Sequence, residues 1–136
     1  MKPIVAHHSS GDERLVVQPM LHVGSLAQAR MRGGRHLHRM AIVPGIRVPR
    51  LRDTGDWSER RLMRHASRAP VLVYLNRYEG VPLEEFEIAR QRAAAVSLSL
   101  EDLSDAAFRR LVPSAQDSWV VLDPACVRNV ETITLD

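Results

Sequence analysis

Apolar residues along this chain fall in short runs separated by turn residues, the pattern of short strands and helices in alternation. Ile4, Val5 and Ala6 read as a strand, as do Leu21, His22 and Val23. Gly24-Ser25 then opens a helix. Ser25 followed by Gln28 is a capping-box pair, and Gly33-Gly34 stops the helix where a left-handed backbone is cheap. His36 to Val43 and Ile46 to Leu51 read as strands joined through Pro44-Gly45, which predicts a hairpin. After the turn Asp53-Thr54-Gly55, Asp56 and Glu59 make a second capping pattern, for a helix to about Arg68 that Ala69-Pro70 ends.

Val71 to Leu75 is the most strand-like segment, with β-branched and aromatic residues at most positions, and is expected in the sheet interior at the centre of the fold. Pro82 begins a helical stretch rich in Glu, Ala and Arg that runs to about Val96, and a second helix follows around Asp102 to Leu111, ended by Pro113. Trp119 to Leu122 reads as a buried strand stopped by Asp123-Pro124, and Val130 to Leu135 as an edge strand. Strands mixed irregularly with helices predict an α+β fold, a compact mixed β-sheet core with short flanking helices.

The chain has 136 residues, enough for one core, so residues 1–136 are expected to be a single domain. A hydrophobic share of 45% and a charged share of 26% are ordinary for a folded protein. The apolar runs fall far short of the roughly 20 residues of a membrane span, and the N-terminus lacks the apolar centre of a signal peptide. A cytoplasmic protein with no membrane contact is expected. The lone Cys126 reads as a small core residue.

Charge adds a polarity to this picture. The formal net charge is +3, and Lys2 is the only lysine. Eleven arginines from Arg30 to Arg68 face only Asp53, Asp56 and Glu59, whereas acidic residues dominate from Glu79 to Asp105. Two solvated faces that attract each other account for this. So does an anion site, because guanidinium forks suit phosphates and pyrophosphates, with Arg30, Arg39 and Arg52 as candidates.

No Walker loop, GxGxxG, HExxH or CxxC pair is present, which argues against P-loop hydrolysis, Rossmann cofactor binding and the common zinc sites. His22, His36 and His38 form the one histidine set to weigh as metal ligands. Ser9 and Ser10 lack a GxSxG elbow and read as turn caps. Tyr74, Asn76 and Tyr78 share one face if the strand runs that far. Strict alternation puts Glu79 on the other face, so a shared site requires the strand to end or twist first.

Four segments in order carry a resemblance. They are Leu21-His22-Val23-Gly24-Ser25 with the Ala- and Gln-containing helix after it; Arg47-Val48-Pro49-Arg50-Leu51-Arg52-Asp53 with Gly55-Asp56-Trp57; Tyr74-Leu75-Asn76-Arg77-Tyr78-Glu79; and Asp117-Ser118-Trp119 through Asp123-Pro124 with Val127-Arg128. In this order the chain resembles the small NAD-using ADP-ribosyltransferases of bacterial toxins and phages. The usual middle motif, a strand with a Tyr or a Ser-Thr-Ser run, is missing between Gly33 and Pro70, and Pro82 to Pro113 is an added helical segment.

The resemblance implies an ADP-ribosyltransferase-like fold and an NAD-dependent mono-ADP-ribosyltransferase acting as a toxin, effector or phage host-modifying protein. NAD is its substrate, no metal is required, and the acceptor is a macromolecule, expected to be a protein. An antitoxin or immunity protein is a further expected partner. Glu79 corresponds to the carboxylate that stabilises the cationic ribose, His22 and Ser25 position NAD, and Gly24 lets it approach the backbone. Tyr74 or Tyr78 packs the nicotinamide, with Asn76 on the same strand. An NAD glycohydrolase of the same fold, or a non-enzymatic basic module for nucleic acid or an acidic protein, are the alternatives.

Overall fold

The computed structural model describes residues 2–135. Among them the chain forms seven strands and four α-helices in an α+β fold with two sheets. The strands are β1 (Ile4–Ser10), β2 (Leu21–Val23), β3 (His36–Ile42), β4 (Arg50–Leu51), β5 (Val71–Asn76), β6 (Gln116–Val121) and β7 (Val127–Thr134). The helices are α1 (Leu26–Arg32), α2 (Glu59–Ala66), α3 (Leu83–Ala95) and α4 (Asp105–Leu111). One sheet has the order β1-β3-β7 and the other β2-β6-β5-β4. They meet at a bridge in which His7 and Gly24 exchange backbone hydrogen bonds of 2.7 and 2.9 Å.

β5 is the hub. All six of its residues are buried, and it feeds all three core clusters. Val71 faces the space between the sheets with Ala6, Val23, Met40, Ile42 and Val121. Leu72 and Tyr74 face α2 through Leu62. Leu75 meets the helical arm through Phe86, Leu100 and Phe108. A strand covered on both faces has no polar side to show, which is why its sequence is a continuous apolar run. Cys126 lies buried in the inter-sheet cluster.

The predicted hairpin of His36–Val43 with Ile46–Leu51 does not form. β3 already has β1 on one side and β7 on the other, leaving no free edge. Pro49 has no N–H to donate. Its carbonyl instead accepts from Val73 at 3.0 Å, and Arg50–Leu51 pair in parallel with Val73–Tyr74. The α2 cap also differs: Ser58 accepts from the Arg61 N–H, whereas Asp56 closes a turn on the Ser58 N–H. The helical segment after Pro82 divides into α3, a 3-10 turn over Leu100–Asp102, and α4. β7 is an edge strand that begins at Val127. No helix among the described residues is long and apolar enough to cross a membrane.

Candidate functional site

A small recess opens between α1 and the four-stranded sheet, with β1 closing one side; it encloses about 20 Å³, room for about one water molecule. His22 on β2, Tyr74 and Asn76 on β5, and Ser118 on β6 supply the sheet wall, and Glu79 lies just beyond β5. The register explains the shared face. Tyr74 opposes Ser118, and His22 opposes Val120, two residues farther along β6 and therefore on the same side of the pleat. Gln28 and Arg32 descend from α1, and His7 and His8 enter from β1.

Glu79 reaches this face because the strand stops at Asn76. The Asn76 carboxamide oxygen accepts the N–H groups of Tyr78 at 3.2 Å and Glu79 at 3.1 Å, so the side chain imitates a backbone turn. Gly80 completes it at φ +83°, which favours glycine. The alternation that separates Glu79 from Tyr74 is thereby broken. The Glu79 carboxylate stands 3.4 Å from Arg32 Nε, both side chains being nearly half exposed. Such a pair is worth at most about 1 kcal/mol and is easily exchanged for a ligand.

His22 and Tyr74 form the aromatic part. His22 Nδ1 lies 3.0 Å from the Tyr74 hydroxyl, and Trp57 packs on both, 5.4 Å from the imidazole and 4.2 Å from the phenol ring. Trp57 is itself held by its indole N–H donating to Asp53 at 3.1 Å, and Arg61 covers its ring at 4.9 Å. Burial pushes the Tyr74 hydroxyl up to about 12, so it stays protonated. Burial, then the Arg32 charge, lowers His22 from the ordinary histidine value. With neutral His22 accepting from Tyr74 on Nδ1, its Nε2 carries the proton and is a donor. His8 is lowered chiefly by burial and donates from Nδ1 to the His22 carbonyl at 2.9 Å. His7 Nδ1 is buried without a partner.

The structure therefore brings together Glu79, His22, Gly24, Tyr74 and Asn76, and leaves Ser25 and Tyr78 outside the recess. Ser25 is engaged in the reciprocal cap with Gln28. Tyr78 is 52% exposed and leans on Phe86 at 5.9 Å, on the other side of the turn. Gly24 has a packing role: a Cβ there would lie 1.9 Å from Gln28 Oε1. Of the arginines named for a pyrophosphate, Arg39 pairs with Glu131 and Arg52 donates to the Glu101 and Leu103 carbonyls. Arg32 stands at the recess instead.

His36 and His38 each bond a threonine on β7 through Nδ1, at 3.0 and 2.8 Å, and His38 Nε2 meets Ser10. Neither lines the recess. Sequence reasoning missed His7, His8, Arg32 and Ser118 as recess residues, and took Gln28 only as a cap. The His8 signal was the extension of β1 to Ser10, which the polar residues after Ala6 concealed.

No protein family, curated protein or solved structure matches this chain.

Proposed function

We propose that the recess binds the nicotinamide riboside end of NAD and that the protein is a mono-ADP-ribosyltransferase. The observation that carries this reading is the convergence of His22 from β2 with Tyr74 and Glu79 from β5 and the turn after it onto one small concave wall. The recess encloses only about 20 Å³, so on this reading the nicotinamide riboside enters as the half-exposed Glu79–Arg32 pair opens, leaving the pyrophosphate outside beside Arg32.

The chemistry follows from the residues. When the bond between ribose C1′ and the nicotinamide nitrogen breaks, its electron pair leaves with nicotinamide and the ribose becomes cationic. On this reading the Glu79 carboxylate stabilises that charge and accepts from a ribose hydroxyl. His22 Nε2–H donates to a ribose or carboxamide oxygen, and the Tyr74 ring, braced by Trp57, forms an apolar wall for the nicotinamide. The acceptor nucleophile then attacks C1′ and releases its proton. Water in that place gives the glycohydrolase reaction. A protein acceptor, a cytoplasmic reaction and an antitoxin or immunity partner belong to this same reading.

The test is nicotinamide release from NAD by the purified protein and by Glu79→Gln, which keeps shape and removes charge. The wild type is expected to release nicotinamide and the variant to lose about 10²–10³-fold in kcat. A wild type that neither consumes nor binds NAD overturns the reading.

A further inference from the structure

Gln28 is 2% exposed, and its side chain lies against Gly24 and Gly80. A Cβ on Gly24 would meet its Oε1 at 1.9 Å, and a Cβ on Gly80 would meet its Cγ at 2.8 Å, so a glycine on either side makes room for it. We propose that Gln28 is a positioning residue for Glu79, acting through the polarity of a buried hydrogen-bond chain. Its catalytic consequence rests on the NAD-site reading above.

The chain has a fixed direction. Gln28 Nε2 donates to the Gln116 carbonyl at 3.0 Å, which orients the amide so that Oε1 faces inward. Oε1 accepts from the Ser25 N–H at 2.9 Å and from the Ser118 hydroxyl at 2.7 Å. Because Ser118 has given its single proton to Gln28, its oxygen is left to accept, and it takes the Asn76 Nδ2–H at 3.1 Å. That bond decides which end of the Asn76 amide faces the turn. The oxygen does, and it receives the N–H groups of Tyr78 and Glu79.

Removing the acceptor at Gln28 frees the Ser118 proton. Ser118 can then donate to Asn76, and the amide that satisfies it is the flipped one, with Nδ2 turned toward two backbone N–H groups. Donor faces donor and the turn that carries Glu79 opens. Gln28→Met keeps most of the volume and removes the acceptor. Gln28→Glu keeps an acceptor for Ser118 while losing the donor to Gln116. Asn76→Asp has oxygens at both ends and needs no orientation, so it rescues Gln28→Met if polarity is the cause.

The experiment measures backbone amide hydrogen exchange at Tyr78 and Glu79, with nicotinamide release measured alongside. Gln28→Met is expected to speed exchange at these two amides about tenfold, to lower kcat with KM little changed, and to recover turn protection when combined with Asn76→Asp. Gln28→Glu is expected to keep that protection, and it carries the test if Gln28→Met does not fold. Faster exchange confined to α1, with Tyr78 and Glu79 unchanged, overturns the proposal and leaves Gln28 a helix cap. The expected exchange pattern in a protein that does not consume NAD upholds the positioning of the turn and overturns the NAD reading alone.

Discussion

Gly24 shows how a residue type is legible while its reason is not. Its place before a helix suggests close approach of a ligand, but the neighbours that a methyl group there would meet are Gln28 Oε1 and, at 3.1 Å, Ser118 Oγ. Gly24→Ala must displace the Gln28 amide, and a loss of about 1–3 kcal/mol is expected from overpacking, read as a lower urea midpoint at unchanged m-value. Glu79 is the converse case. Alternation alone sets it apart from Tyr74, and the turn that reunites them depends on Asn76, whose habit of closing turns is visible in sequence. His7, His8 and Arg32 were not legible, because their meeting depends on how β1 and α1 pack across the sheet.

At the scale of elements, the strands and helices were largely legible from local signals, and their pairing was not. β5 announced itself by an apolar run, and α1 by Ser25, Gln28 and Gly33, all of which act as caps. The partner of β4 depended on which strand edges remained free, information that lies far away in the chain. The helical arm is attached by Arg77, itself 2% exposed, which donates to Asp105 at 2.9 Å and to the Leu103 carbonyl at 2.8 Å and lies over the Phe108 ring at 4.7 Å. Asp105→Ala leaves that guanidinium without its carboxylate. The expected loss is about 2–3 kcal/mol, below the value for a fully buried pair because Asp105 is partly exposed. Chemical denaturation checks it, and a loss under about 0.5 kcal/mol would show that the arm is held by its apolar contacts alone.

For the whole molecule, histidines tie stability to pH. His7, His8, His22 and His38 all lie below the ordinary value of 6.5, with burial the first cause in each. Between their depressed values and 6.5 the unfolded chain binds more protons than the folded one, so stability rises with pH through that window and falls as acid is added. The urea midpoint is expected to be lower at pH about 5.5 than at about 7.5; an equal or higher midpoint in acid would contradict the buried, neutral assignment. Three of these four histidines line the recess, where the two sheets meet at the His7–Gly24 bridge. Across that seam a single pair of backbone hydrogen bonds is backed by the His8 bond to the His22 carbonyl and by the apolar cluster between the sheets. A molecule lodged in the recess touches both sides of the seam at once and so acts as a rivet. On the proposed reading its grip and the docking of the sheets become one quantity, and NAD is expected to raise the urea midpoint of the protein.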